Sequence, residues 1–353
     1  MASGTADVKL KVAVIQMKPK PLDPAHNFAH AKAELQRAAD QGASLAVLPE
    51  YHLSGWEPND PQFVEIAREA HKYQAAYQDL AKELKINICA GTIVQTAPTP
   101  ASNGVGNTTT NDDSKPVLLN ISPFISYTGE LLGTYTKTNI WIPEREHLTS
   151  SVAFAQTSTD TSTTSDTQQQ SQRSKDLQHA GIAHSEPSNP PASPHDVIQT
   201  PLGNIGILIC WDLAFPEAFR SLIRQGCKLI IIPTYWTGFD LSDAGRKVNP
   251  DGEKLFLESM LVARAFENTC TIIFCNAGGP ADEGFLGLSG VYAPIAGRLP
   301  GSFTDSEEGM RVVEVDLGIQ EIAEQNYRIR EDVLGEDWHY GYEKVEGNVG
   351  VGS

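Results

Sequence analysis

Positive charge is what this 353-residue chain has least of: 27 lysines and arginines stand against 44 aspartates and glutamates, a formal net charge of −17. No basic cluster interrupts that excess. A phosphate backbone or an anionic bilayer would be repelled, so neither nucleic acid nor membrane is expected as a partner. Long apolar runs are also missing; none approaches the roughly 18 residues of a membrane span. The apolar block Val12-Ala13-Val14-Ile15 is too short for a secretory signal. The five cysteines (Cys89, Cys210, Cys227, Cys270, Cys275) are odd in number and include no Cys-x-x-Cys pair, which speaks against a disulfide framework and for a reducing compartment. A cytoplasmic protein is therefore expected. The nine histidines show no zinc-type pairing, so neither a metal nor another cofactor is expected.

What is present is ordinary globular material, 40% hydrophobic and 20% charged, long enough to bury a large core without staples. Residues 12–17, 45–48, 86–94, 229–232 and 271–275 read as buried strands. Asp23-Pro24 starts a helix that Gly42 ends, and residues 61–85 carry one continuous helical stripe. Residues 96–115 read as a loop, 117–126 and 131–135 as a hairpin around Thr128-Gly129, and 216–225 and 253–268 as helices. Strands near 286–292 and 311–315 close the core, and 347–353 is a frayed tail. Buried strands alternating with helices indicate an α/β fold. Residues 149–194, dominated by Ser, Thr, Gln and Pro, have too little apolar surface to offset the entropy of ordering and read as a disordered insertion within one domain. The domain is expected over residues 8–330, with a C-terminal extension over 331–353. Asn107-Thr108-Thr109 and Asn120-Ile121-Ser122 match a glycosylation pattern but, with no signal peptide, read as chance matches.

Three residues stand where chemistry is commonly built. The apolar strand 205–209 ends at Cys210, and a helix begins shortly after at Pro216, which places a thiol at a sharp strand-to-helix turn near the positive end of a helix. Glu50 follows a short apolar strand and Pro49, at a strand's C-terminal end. Lys137 closes the strand 131–135. Taken singly, each has a plainer reading: a core cysteine, a solvated loop glutamate, a snorkelling surface lysine. A thiol nucleophile acting on an amide or nitrile needs a base and a cation for the developing negative charge. Tyr235, Trp236 and Phe239, just beyond the strand 229–232, are candidate walls of a substrate pocket and equally candidates for packing or subunit contact.

Taken together, Leu48-Pro49-Glu50, Tyr135-Thr136-Lys137 and Ile209-Cys210-Trp211-Asp212 with Phe215-Pro216-Glu217 resemble the glutamate, lysine and cysteine motifs of the nitrilase superfamily, in the same order. The similarity runs from about Val12 to about Val315 and includes Ala263 to Asn268 and the Leu288-Ser289-Gly290 region. It implies a four-layer α-β-β-α sandwich, interrupted here by the long low-complexity insertion, that pairs into a homodimer or a higher even homo-oligomer. It also implies roles: Cys210 as nucleophile, Glu50 as general base and acid, and Lys137 with the Trp211 backbone N–H at the oxyanion. A second glutamate supporting the lysine is expected at Glu144, with Glu146 as the other candidate. The pairing of Cys-Trp-Asp with Phe-Pro-Glu is similar to the amidase and carbamoylase branches. Leu213-Ala214-Phe215 stands where relatives acting on N-carbamoyl amino acids can carry arginines. The expected activity is hydrolysis of a small amide or N-carbamoyl compound, with a small nitrile as the alternative. An inert binding or assembly protein on the same fold is the rival from another class.

Overall fold

The computed structural model describes residues 9–97, 116–160, 194–336 and 338–340. Two mixed sheets form its centre. The first is built from β1 (Lys9–Gln16), which is followed by helix α1 (Pro24–Asp40), and from β2 (Leu45–Val47). Helices α2 (Pro61–Arg68) and α3 (Ala70–Leu84) then lead into β3 (Asn87–Cys89), β4 (Ile93–Thr96), and the hairpin β5 (Leu118–Ile125) and β6 (Leu131–Thr136). Helix α4 (Ser151–Asp160) precedes the second sheet, which starts with β7 (Ile198–Thr200) and β8 (Gly203–Ile207). It continues through α5 (Pro216–Arg224), β9 (Leu229–Thr234), α6 (Asp243–Val248), α7 (Gly252–Glu267), β10 (Thr271–Asn276), β11 (Gly290–Ala293) and β12 (Gly297–Arg298). Strand β13 (Gly309–Asp316) returns to pair antiparallel with β1, and α8 (Gly318–Tyr327) and α9 (Ile329–Leu334) follow. The parallel ladders β1–β2–β3 and β8–β9–β10 hold the apolar runs seen in the sequence, because strands covered on both faces need no alternation.

The layers follow from side-chain alternation. In β1, Val12 and Val14 point into a core shared with the second sheet, while Ala13 and Ile15 point to the core under α1 and α3. In β2, Leu45 and Val47 divide from Ala46 and Leu48 in the same way. Helices α5 and α7 cover the far side of the second sheet through Phe219, Leu222, Leu257 and Leu261. The result is the α-β-β-α sandwich. Between the sheets, the Cys275 thiol of β10 lies 3.2 Å from the carbonyl oxygens of both Ile15 and Val47.

Several expectations need correction. The helical stripe over 61–85 is two helices, because Glu69 (φ −93°, ψ 2°) leaves helical geometry and ends α2. The strand expected over 86–94 is broken in the middle. Ile121 of β5 pairs with Ile93 and Thr136, and Phe124 with Cys89 and Gly133, so β3 and β4 lie end to end along one edge of β5 and β6 along the other. The break falls at Gly91 (φ +58°), where an added Cβ would lie 2.1 Å from Pro49 O. The segment 149–194, expected to be irregular, opens with α4, whose first turn is capped by Ser150 Oγ accepting from Ala153 N at 3.1 Å. Residues 161–193 of that segment, most of the loop expected at 96–115, and the tail beyond 340 lie outside the described residues. Helices α8 and α9 were not expected as elements, and α9 crosses the boundary drawn at 331. No helix among the described residues is long and apolar enough to cross a membrane.

Candidate active site

Glu50 is placed by the way the chain leaves β2. Leu48 N still donates to Cys89 O (3.1 Å), but Pro49 has no N–H to continue a ladder, and the backbone turns away. Tyr51 N then donates to Thr92 Oγ1 (3.0 Å), an approach permitted by the kink at Gly91. Beneath the turn, the fully buried His52 ring contacts Pro49 O through Nδ1 (3.2 Å) and Tyr77 OH through Nε2 (2.7 Å). Burial pushes its pKa down to about 3, so His52 is a neutral strut.

The Glu50 carboxylate is completely buried and fully hydrogen-bonded. Its Oε1 accepts from Lys137 Nζ (2.9 Å) and Asn120 Nδ2 (2.8 Å), and its Oε2 from Tyr235 N (3.0 Å). Lys137 is no surface lysine: it has no exposed area, and its own N–H donates to Asn120 O at 2.9 Å. Its ammonium also donates to Glu144 Oε1 at 2.7 Å. Glu144 sits on a 3-10 turn (Ile142–Glu144), where Oε1 takes the Tyr51 hydroxyl at 2.5 Å and Oε2 takes Trp141 N at 3.0 Å. Of the two acidic candidates, Glu144 reaches Lys137 and Glu146 is exposed.

Cys210 opens a second 3-10 turn (Cys210–Ala214) three residues beyond Ile207, the end of β8, with φ +46°, a left-handed conformation unusual for a residue with a Cβ. Asp212 holds that turn in place. Its Oδ2 accepts from Ile209 N and from Tyr135 OH, both at 2.9 Å, and its Oδ1 accepts from Asn139 N (2.9 Å) and Asn139 Nδ2 (2.8 Å). The elbow is thus fastened to the chain on both sides of Lys137. Cys210 and Glu144 line a cavity of about 410 Å³ whose walls include Tyr51, Trp56, Trp141, Trp211, Tyr235 and Trp236. Phe239 is not among its walls; it lies 60% exposed on the outside, with the Arg246 guanidinium 5.9 Å from its ring.

The electrostatics of the group depend on burial. Desolvation raises the Glu50 pKa from 4.5 to about 7, and the Lys137 charge opposes the rise without cancelling it. Burial would lower the Lys137 pKa, but the Glu144 and Glu50 carboxylates outweigh it and hold the lysine well above its ordinary value. Burial and then the Glu50 charge push the Cys210 thiol well up, against the pull of Lys137. A thiol held up in this way is protonated at rest and needs a base to become a thiolate. The arrangement brings together a thiol and Glu144 on the cavity wall with a buried carboxyl that titrates near neutral pH and a fixed ammonium joined to both carboxylates. The other four cysteines are buried, and burial pushes Cys89 and Cys227 up to about 12.

Sequence reading missed three supporting residues. Asn120, set aside as a chance glycosylation match, is wholly buried and holds Glu50. Tyr51 was only a neighbour of Glu50, and Asp212 stood in the cysteine motif without a role. The signal for Asp212 was its place two residues after Cys210; nothing local marked Asn120.

Compared with known proteins, the chain matches the carbon-nitrogen hydrolase family model over residues 11–324. It is 23% identical over 325 residues to a probable nitrilase of Schizosaccharomyces pombe, covering 91% of this chain and 93% of that one. Its fold is similar to that of a carbon-nitrogen hydrolase from Helicobacter pylori (TM-score 0.66, 17% identity, 92% of this chain and 95% of that chain). It is also similar to a mutant amidase from a Nesterenkonia species that carries the acetamide moiety of fluoroacetamide covalently at its active-site cysteine (TM-score 0.58, 20% identity, 92% and 98%).

Proposed function

The chain belongs to the carbon–nitrogen hydrolase family, and we propose that it hydrolyses a small non-peptide amide or N-carbamoyl compound through a thioester on Cys210. The observation that carries this reading is one cavity lined by Cys210 and by Glu144, the end of the buried Glu50–Lys137–Glu144 chain.

The steps follow from the placement of protons. Glu50 takes the Cys210 proton as Sγ bonds to the carbonyl carbon and the carbonyl π pair moves to oxygen. An ammonium has three donors, and Glu50 and Glu144 occupy two of those of Lys137. The third, with the backbone N–H of Trp211, is assigned to the oxyanion. Glu50 then passes its proton to the leaving nitrogen, the C–N bond breaks, and ammonia or an amine departs. Water enters and gives a proton to Glu50; the hydroxide adds to the thioester carbon, and Cys210 leaves with the proton that Glu50 returns. A carboxyl poised at about 7 suits a group that must accept and donate in one cycle. Glu144 orients the ammonium, and the Tyr235 N–H fixes the plane of the Glu50 carboxylate.

The test is ammonia release screened over amides, N-carbamoyl compounds and nitriles, with mass analysis of the Cys210 peptide in quenched reactions. An acyl adduct on Cys210 from an amide supports the reading. Ammonia from nitriles alone, or from nothing, overturns it.

A further inference from the structure

The charges lining the cavity are of one sign. Glu144, Asp240 and Glu253 are among its walls, and no lysine, arginine or histidine is. Glu144 is balanced by Lys137, but among the described residues neither Asp240 nor Glu253 has an ion-pair partner. Both carboxylates are nevertheless held in position. Thr237 donates to Asp240 through its N–H (2.9 Å to Oδ2) and its hydroxyl (3.0 Å to Oδ1), and the Trp236 indole N–H donates to Glu253 Oε2 at 2.7 Å. Burial pushes the Asp240 carboxyl up to about 6, and the charge of Glu253 adds to that rise. Two fixed, partly desolvated carboxylates without a countercharge on the protein repel each other and gain from a cation bound beside them. The walls beside them suit the same guest: Trp236 lies 5.5 Å from the Trp211 ring, and indole faces attract cations.

We propose that the amide taken by this cavity carries a positively charged amine at the end remote from its scissile carbonyl, held by Asp240 and Glu253 beside the Trp211 and Trp236 rings. The inference rests on the amide-hydrolase reading above and names its substrate class. One stretch of chain links the two ends of such a molecule: Tyr235 N holds the catalytic carboxylate, and Trp236 and Thr237 hold the two carboxylates of the cation site. Substrates ending in a carboxylate meet like charge and no arginine.

Three probes of similar length separate the possibilities: 5-aminopentanamide, its neutral counterpart hexanamide, and the anionic 5-carbamoylpentanoate. Binding to the full chain carrying Cys210→Ala is read from quenching of tryptophan fluorescence, which needs no turnover. The expected order is 5-aminopentanamide about tenfold tighter than hexanamide, with the acid weakest. Asp240→Asn and Glu253→Gln, introduced separately, are each expected to shrink that ratio several-fold. Hexanamide binding as tightly as the amine, or a ratio untouched in both variants, overturns the proposal. Ammonia release with Cys210 intact is measured in parallel. Equal binding with rapid release from hexanamide removes this proposal and keeps the hydrolase reading. Charge-selective binding without ammonia release does the reverse.

Discussion

Replacing Glu50 by glutamine gives a test that separates charge from shape. The wild-type carboxyl titrates at about 7 in the folded chain against 4.5 in an unfolded one. Its folded pKa is raised, so its stabilising contribution is fully present below pH 4.5 and is lost as pH rises through 7. A shift of that size corresponds to about 3 kcal/mol, most of it lost between pH 5 and pH 8. Glutamine removes this dependence. It also introduces a fixed mismatch: the amide oxygen can serve Lys137 and Asn120, but the NH₂ then faces the Tyr235 N–H, donor against donor. That mismatch costs about 1–3 kcal/mol at every pH. The absolute stability of Glu50→Gln is therefore not the informative quantity; its difference from wild type is. Urea unfolding of both chains at pH 5 and pH 8 should show the variant gaining about 2–3 kcal/mol on the parent across that interval. With the base gone, single-turnover acylation should fall by orders of magnitude, and in the parent it should rise with pH through about 7. A stability difference that is the same at both pH values would refute the assignment of Glu50 as the group titrating near neutrality.

Cys210→Ala should abolish turnover while far-UV dichroism stays that of the parent, since one small side chain is exchanged for another; substrate label appearing on Cys227 or Cys275 would instead move the nucleophile. Lys137→Met leaves two buried carboxylates without their cation, so a loss of roughly 3–5 kcal/mol at pH 8 is expected together with loss of acylation, and a melt matching the parent would contradict the buried ion chain. Gly91→Ala puts a methyl where Pro49 O lies 2.1 Å away, so the loop bearing Glu50 must shift. Destabilisation by about 1–3 kcal/mol and a clear fall in acylation rate are expected, and parental values for both would show that the kink does not position Glu50.

How much of this was legible in the sequence depends on the distance over which each feature is determined. The alternation of Val12 and Val14 against Ala13 and Ile15 is local, and it assigns each side chain to its layer. Glu50, Lys137 and Cys210 were legible because each closes an apolar strand, and strand ends are where a sandwich of this kind gathers side chains. The break at Gly91 was not, since a glycine in an apolar run reads as a weak strand until the Pro49 carbonyl is seen against it. Asn120 and Tyr51 were hidden for a related reason: what they hold lies 70 and 93 residues away in the chain. Between the two readings open for Phe239, sequence proximity to Trp236 could not decide, since it says nothing about which side of the turn the ring takes. Helix α4 was hidden by composition, its Val152-Ala153-Phe154-Ala155 start lost in the Ser/Thr-rich stretch behind it.

The bond from Tyr235 N to Glu50 Oε2 spans 185 residues and joins the loop after a strand of one sheet to the loop after a strand of the other. Neither sheet carries both Cys210 and Glu50, so an unassembled half of the molecule lacks one of the two. During folding, contacts of such long range form late, after the loop between them has been closed. A half-folded chain therefore carries either the thiol without Glu50 or the Glu50–Lys137–Glu144 chain without its thiol, and the two come together only when the sheets meet. Appearance of cysteine acylation during refolding would then serve as a clock for that event, lagging behind any probe of secondary structure.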